Sequence, residues 1–220
     1  MLISYSRRFL FIHNDKAAGS SVMKALEPHA EPTYRQRWRR KLAWLGPLNR
    51  LGGLYRQLDF PVHAPAAQVR QCLPPAVYDG LFKFMFVRNP WDRLVSRYAY
   101  LQQTAGHHRH RFVKRLPDFA AYVAWELGRG PALQADLCCD GQGRLIVDFI
   151  GRYETLAADF ATICDKLGIA ESLPHANGSR HRDYREFYTP ALRGQVARGY
   201  ARDIELFGYT FDVRSEQAAA

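Results

Sequence analysis

The chain has 220 residues, of which 47% are hydrophobic and 13% are aromatic. This length and composition exclude a chain that is disordered throughout and predict a single globular domain with a sizeable core. The formal net charge of +10 favours anionic partners, such as a nucleotide, an acidic glycan, nucleic acid or a lipid surface, without choosing among them.

The cysteines and the hydropathy pattern argue against further classes of protein. Cys138 and Cys139 are adjacent, while Cys72 and Cys164 stand alone, so neither a disulfide framework nor spaced zinc-ligand pairs are present. We expect reduced thiols and no bound metal. No apolar run reaches the length of a membrane span, and the residues after Met1 do not resemble a signal peptide.

The first predicted strand, at about residues 8–13, leads into a turn of small residues. Lys16 lies in this turn, and Ser20 and Ser21 open a helix that runs to about Leu26. Such a turn directs backbone N–H groups, an ammonium group and a helix N-terminus at one phosphate or sulfate. The alternative is an ordinary strand-to-helix connection in which Ser20 or Ser21 is the N-cap.

A basic insert is predicted next, at about residues 33–58. Within it, residues 35–45 carry five cationic side chains interleaved with Trp38 and Trp44. This segment is a candidate for a glycan-binding lid or for an interfacial helix on an anionic lipid surface. Short helical segments are predicted at residues 65–73 and 75–81.

The strand predicted at residues 82–87 begins a second strand–turn–helix segment. Arg88 follows this strand, at the end where open α/β sheets bind ligands, and Pro90 begins a helix that contains Ser96. An arginine fork and a hydroxyl are suited to holding a second phosphate. The alternative is that Arg88 pairs with Asp92. Two such segments indicate a ligand with two separate phosphate groups.

The remaining pattern alternates helix, loop and strand. Helices are predicted at residues 117–127, 156–167 and 190–207, a strand at 145–150, and loops at 106–115 and 174–188. We expect a three-layer α/β/α fold with a mainly parallel central sheet. The single domain covers residues 1–213, and residues 214–220 form a disordered tail.

The two motifs resemble the cofactor signature of sulfotransferases that use 3′-phosphoadenosine 5′-phosphosulfate (PAPS), specifically the carbohydrate sulfotransferase branch often grouped as family 2. Residues 14–21 resemble the family's first loop, commonly I-P-K-T-A-G-T-S, with Asp15 and Ala17 in place of proline and threonine. Residues 86–98 match F-V-R-N-P-(W/F)-(D/E)-R-L-V-S-x-Y nearly residue for residue. Similar segments follow, so the resemblance extends from Phe9 to about Tyr209.

This resemblance implies a P-loop-like sulfotransferase fold and transfer of a sulfuryl group from PAPS to a hydroxyl of a glycan, glycolipid or small molecule, without a metal. The product is 3′-phosphoadenosine 5′-phosphate. The implied ligands of the 5′-phosphosulfate are Lys16, Ala17, Ala18, Gly19, Ser20 and Ser21. The implied ligands on the 3′-phosphate and adenine side are Arg88, Ser96, Ser179 and Arg180.

A general base is also implied by the resemblance. His63 lies where related glycan sulfotransferases place a histidine that removes the acceptor's proton; the alternatives are a helix cap or a substrate contact. We expect His13 to point into the sheet edge. Golgi members of the family carry an N-terminal anchor that this sequence lacks, so we expect a bacterial cytoplasmic protein with peripheral membrane contact through residues 35–45.

Two other classes compete with this interpretation. A P-loop kinase needs Gly-x-x-x-x-Gly-Lys-(Ser/Thr), but Lys16 precedes Gly19 and the turn has no upstream glycine. A basic nucleic-acid-binding module would suit the charge, but it has no recognisable helix-turn-helix, zinc or RNP pattern here and leaves the Arg88–Ser96 segment unexplained. We therefore expect no nucleic-acid partner.

Overall fold

The computed structural model describes residues 1–31, 55–56, 58, 60–173 and 182–212. The chain divides into two compact units, Met1–Val87 with Gln134–His175, and Arg88–Leu133 with Ala176–Ala220. The single domain at residues 1–213 stays a prediction. Most of the basic insert and all of the tail at residues 214–220 lie outside the described residues.

The first unit contains a four-stranded sheet. Its strands, in spatial order, are β1 (Leu2–Ser4), β2 (Phe9–Ile12), β3 (Phe82–Val87) and β4 (Phe149–Arg152). β2, β3 and β4 are parallel, and β1 is antiparallel to β2. The expectation of a mainly parallel sheet is confirmed.

Helices connect and flank these strands. The α-helices of the described residues are α1 (Gly19–Leu26), α2 (Ala66–Cys72), α3 (Pro75–Asp79), α4 (Pro90–Gln103), α5 (His110–Val113), α6 (Phe119–Gly128), α7 (Ala135–Cys138), α8 (Leu156–Leu167), α9 (Pro190–Gly199) and α10 (Ala201–Phe207). Short 3₁₀ turns lie at Glu27–His29 and Tyr184–Phe187. The loop predicted at residues 106–115 therefore contains a short helix, α5.

Phenylalanines of β2 and β3 form the core on one face of the sheet. Because alternate residues of a strand share a face, Phe9 and Phe11 lie beside Phe84 and Phe86, and they pack against α1 and α8. Lys83 points to the other face, where its Nζ lies 2.9 Å from Asp148 Oδ2 and donates to the carbonyl oxygen of Tyr78 in α3. Helices on both faces confirm the three-layer architecture.

The last strand lies a few residues later than predicted. Instead of residues 145–150, β4 is Phe149–Arg152, and it pairs with β3 from Phe84↔Phe149 to Val87↔Arg152. The Phe86 ring lies over Gly151, where a Cβ would meet Phe86 Cε1 at 2.5 Å. The space at Gly151 therefore helps to set the register, because another residue at that position would displace the ring.

The second unit is helical and has an aromatic core that includes Trp91, Tyr122 and Tyr200. α4 begins as predicted: the side chain of Asn89 accepts a hydrogen bond from Trp91 N, and Pro90 occupies the first turn. The single helix predicted at residues 190–207 is wrong, because the chain breaks at Tyr200 into α9 and α10. Gly199 lies directly against Leu127 and leaves no room for a Cβ.

Candidate active site

The turn between β2 and α1 has an unusual backbone. Lys16 has φ 64° and Ala18 has φ 59°, so both adopt the left-handed conformation that residues with a Cβ disfavour. Ala17, between them, is fully buried. Left-handed residues in a turn curve the backbone and can aim N–H groups inward, which is how proteins build concave anion sites.

The N-terminus of α1 opens into this turn. Ala18 is its N-cap residue and no side-chain cap bond is made there, while the N–H groups of Ser21 and Val22 bond to the Ala18 carbonyl oxygen at 3.0 and 3.1 Å. The interpretation in which Ser20 or Ser21 is the N-cap is therefore wrong. An end without a side-chain acceptor retains the partial positive charge of the helix dipole. The turn and helix end thus suit an anion such as a phosphosulfate.

Relieving the left-handed strain should stabilise the fold. We expect Ala18→Gly to raise the free energy of unfolding by about 0.5–1 kcal/mol. Glycine removes the free-energy cost of the left-handed conformation, and this gain exceeds the cost of the extra conformational entropy that glycine gives the unfolded chain. Urea unfolding measures the change. The matched control is Ala124→Gly, at an exposed position inside α6, which should lower stability by about 1 kcal/mol. Losses in both variants would contradict the strain at Ala18.

Asn14 anchors the start of the turn. Its side chain is 1% exposed, and Nδ2 donates to the Phe86 carbonyl oxygen at 2.9 Å and to Gln134 Oε1 at 2.8 Å. The turn is thereby tied to the carboxyl end of β3. Asn14 Oδ1 is buried and accepts no hydrogen bond within the described part of the chain.

Two histidines meet beside the same turn. His13 directly follows β2 and is buried, and its Nδ1 lies 3.0 Å from Nδ1 of the exposed His63. His63 Nδ1 also lies 3.2 Å from the carbonyl oxygen of His13. The His13 ring packs against the first residue of α1, because a Cβ on Gly19 would meet His13 Nε2 at 2.5 Å. The structure thus joins the Lys16 turn to a histidine pair within one unit.

Burial of the His13 imidazole lowers its pKa from 6.5 to about 4. The Met1 amino group and His63 also lower this pKa, while Asp15 raises it. Folded His13 therefore stays neutral over a pH range in which the unfolded chain takes up a proton. Stability contributed by this site is present above about pH 6.5 and is lost as the pH falls toward about 4.

This pKa shift predicts acid sensitivity that a substitution should remove. Between about pH 6.5 and 4, we expect the parent's free energy of unfolding to fall relative to His13→Gln by on the order of 1 kcal/mol per pH unit. Urea unfolding across this range measures it. The exposed His108 provides the control His108→Gln, and equal changes in the two variants would contradict a specific role of His13. Parallel curves for the parent and His13→Gln would contradict the shifted pKa.

From Arg88 onward, the second motif belongs to the other unit. Arg88 Nε bonds to Asp92 Oδ2 at 2.8 Å, and the two side chains are only 5% and 8% exposed. The pairing left open by the sequence is therefore present. A guanidinium has five N–H donors, so a bond through Nε is compatible with a phosphate role. Ser96, two turns along α4, is 1% exposed.

Some of the residues predicted from the sequence lie in parts of the chain that the structure does not describe. Ser179 and Arg180 lie outside the described residues, and so do residues 35–45, the candidate membrane-contact segment.

The second unit contains a cavity of about 390 Å³, whose lining includes Tyr188, Arg193 and Phe211 but none of the predicted site residues.

A comparison with protein families decides the class of this protein. The sequence model described as "Sulfotransferase family" matches residues 67–210, about two thirds of the chain. The chain belongs to the sulfotransferase family. Within this sulfotransferase, the matched region contains Arg88 and Ser96, while Lys16 and His63 precede it.

Two individual proteins are similar to this sulfotransferase. A protein of Archaeoglobus fulgidus, described as uncharacterized, is 33% identical over 109 residues, which is 50% of this chain and 86% of that protein. The crystal structure of mouse sulfotransferase SULT7A1 complexed with PAP aligns over 91% of this chain and 88% of its own, with 15% identity and a TM-score of 0.47.

Three further observations concern the described residues of the sulfotransferase. Among them, no helix is both long and apolar enough to cross a bilayer. In the same part of the chain, no group of three or more His, Cys, Asp or Glu side chains is placed to hold a metal ion. The four cysteines are buried free thiols.

Sequence reasoning missed the contribution of His13 and Asn14. Both follow β2 directly, at the strand end where parallel sheets bind ligands, and that position is the one signal in the sequence. His13 was expected to point into the sheet edge, but it packs between Gly19 and His63. Its partner lies fifty residues away in the chain, so the pair emerges only in three dimensions.

Proposed function

We propose that this sulfotransferase transfers a sulfuryl group from PAPS to a hydroxyl of a carbohydrate or glycolipid-type acceptor. The observation that carries the proposal is the left-handed Lys16 turn, which opens onto the N-terminus of α1 beside the His13–His63 pair. In this proposal the turn is the anion site and His63 is the base, and these two elements suit sulfuryl transfer to a hydroxyl.

In this proposal, the chain binds the donor through two groups of residues. Lys16 and the backbone of residues 17–21 bind the 5′-phosphosulfate, with the Ser20 and Ser21 hydroxyls adding hydrogen bonds. Arg88 and Ser96 bind the 3′-phosphate, which distinguishes PAPS from ATP. Ser179 and Arg180 are assigned to the 3′-phosphate or adenine side by family resemblance.

The reaction is a direct displacement at sulfur. The acceptor oxygen forms a bond to sulfur as the bond between sulfur and the bridging phosphate oxygen breaks. The electron pair of the broken bond stays on 3′-phosphoadenosine 5′-phosphate, and Lys16 stabilises the charge that develops on this leaving oxygen. His63 takes up the proton of the acceptor hydroxyl through Nε2.

The proposed acceptor class comes from the family resemblance and from the basic segment. A glycan or glycolipid follows from the resemblance to the carbohydrate branch of the family. The cationic, tryptophan-containing residues 35–45 suit contact with sugar rings or with anionic lipid.

Ligand binding and sulfate transfer test the proposal separately. 3′-Phosphoadenosine 5′-phosphate should raise the melting temperature, while ATP with magnesium and duplex DNA should not. Radiolabelled sulfate from PAPS should then appear on glycan or glycolipid acceptors in cell extracts. Stabilisation by ATP with magnesium alone would instead indicate a kinase, and stabilisation by DNA alone would indicate a nucleic-acid-binding module.

A further inference from the structure

The contacts of the histidine pair determine where its protons lie. A carbonyl oxygen only accepts hydrogen bonds, so the 3.2 Å contact between His63 Nδ1 and the His13 carbonyl is a hydrogen bond only when His63 Nδ1 carries the proton, and we assign the proton there. The same nitrogen faces His13 Nδ1 at 3.0 Å. His13 Nδ1 must then be the unprotonated acceptor, because two N–H groups cannot bond to each other.

The protonation of Nε2 in each ring follows from the protonation of Nδ1. With its proton on Nδ1, neutral His63 carries its lone pair on Nε2, and neutral His13 carries its proton on Nε2. His63 is exposed whereas His13 is buried. The basic nitrogen of the pair therefore belongs to the ring that a substrate can reach.

The surroundings of His13 keep it in the accepting state. The residue is 7% exposed and its ring lies against the first residue of α1, whose positive end opposes a second positive charge. The charged groups that act on the ring are the Met1 amino group and His63, which oppose protonation, and Asp15, which favours it. Burial outweighs Asp15 and lowers the pKa of His13 to about 4, so the ring is neutral near pH 7.

Glycine at position 19 is what allows this arrangement. A Cβ there would lie 2.5 Å from His13 Nε2, 2.6 Å from His13 Cδ2 and 2.9 Å from the Asn14 carbonyl oxygen. Because the Asn14 side chain is tied to Phe86 and Gln134, the backbone beside it has little freedom to move away. A larger residue at position 19 would have to displace the His13 ring.

We propose that His13 is a positioning residue: its carbonyl oxygen and Nδ1 hold His63 in the tautomer whose Nε2 is the base for the acceptor hydroxyl. This inference rests on the proposed function, because it deepens the role assigned to His63. A partner that fixes the tautomer and orientation of a catalytic histidine is a general way to raise the fraction of correctly oriented base.

Nitrogen NMR tests the tautomers without any turnover. In protein labelled with ¹⁵N-histidine at about pH 7, His63 should show a protonated Nδ1 and a bare Nε2, and His13 should show the reverse. Spectra of His13→Asn and His63→Asn assign the signals. The opposite order in either ring, or rapid averaging of both tautomers in His63, overturns the proposal.

Kinetics test the positioning role. His13→Phe removes the Nδ1 acceptor and should lower kcat by about 10- to 100-fold with little change in KM for PAPS. His13→Asn places an amide oxygen near the position of the lost Nδ1 and should recover part of kcat. Because both variants remove the buried imidazole, the difference between them measures the effect of the acceptor atom. The exposed His108 supplies the control His108→Asn, which should retain the kcat of the parent.

The NMR and kinetic experiments together distinguish failure of this inference from failure of the proposed function. If the tautomers are as expected and His13→Phe retains the parent's kcat, positioning through His13 Nδ1 is wrong while sulfate transfer stands. If His63→Asn retains full turnover, His63 is not the base and the inference falls with that assignment. If PAPS is not used at all, the proposed function and the positioning role both fail.

Discussion

Lys16→Ala should reduce sulfate transfer from PAPS by at least about 100-fold in kcat, the effect seen when one preorganised group that stabilises transition-state charge is removed. Lys16 sits in a left-handed conformation next to the buried Ala17, so its backbone is held in a strained, specific turn. An alanine carries a Cβ as lysine does, so it leaves the backbone strain unchanged. The loss should therefore be catalytic, with the melting temperature of the free protein near that of the parent.

A matched substitution distinguishes this role from a general effect of charge. Lys24→Ala removes the same charge from an exposed position of α1, the helix that Lys16 precedes. Initial rates at saturating PAPS should be unchanged in Lys24→Ala. Equal losses in both variants would indicate that net charge, and not the position of Lys16, governs turnover.

The elements nearest the site were the ones that sequence predicted well. A buried apolar run, a small-residue turn and a helix describe β2 and α1, and the helix predicted at residues 156–167 is α8, which Gly168 ends in a left-handed cap. The second motif was equally legible, because Asn89 and Pro90 supply both the cap and the first turn of α4. Local chemistry determines these features, so local sequence reveals them.

Features that depend on distant partners were missed or misplaced. β1 has only three residues and is defined by its antiparallel pairing with β2. The start of β4 depends on its register with β3, where Gly151 accommodates the Phe86 ring. Such contacts have no periodic signature in the sequence.

The candidate site also combines residues that the sequence indicated with contacts that only the fold reveals. The sequence indicated Lys16 and His63 separately, but the contact between His63 and His13 joins residues that lie before and after the basic insert in the chain. The left-handed φ of Lys16 and Ala18 was also not predictable, because neither residue type favours it. Buried packing around Ala17 and Asn14 imposes the conformation, and that packing depends on the whole unit.

The second large effect is expected at the buried pair formed by Arg88 and Asp92. Arg88→Met alone leaves the Asp92 carboxylate buried without this partner and should lower the free energy of unfolding by about 3–5 kcal/mol. Arg88→Met combined with Asp92→Leu replaces both charges with apolar groups and should recover most of that loss. Urea unfolding of the parent, single and double variants measures both changes.

An exposed pair provides the control for stability. Arg144 and Asp140 also lie four residues apart, with Arg144 Nη2 2.8 Å from Asp140 Oδ2, but the arginine side chain is 73% exposed. Arg144→Met should therefore destabilise far less than Arg88→Met, since solvent screens an exposed pair. Similar losses in the two single variants would contradict the burial argument for Arg88.

Nucleotide preference then separates the structural role of Arg88 from its proposed binding role. The parent should bind 3′-phosphoadenosine 5′-phosphate more tightly than 5′-AMP by about 10- to 100-fold, the contribution of a charge-assisted hydrogen bond to the 3′-phosphate. The refolded double variant should bind both nucleotides alike in calorimetry, because stability has been restored but the guanidinium has not. A double variant that keeps the preference would show that Arg88 holds Asp92 and no phosphate.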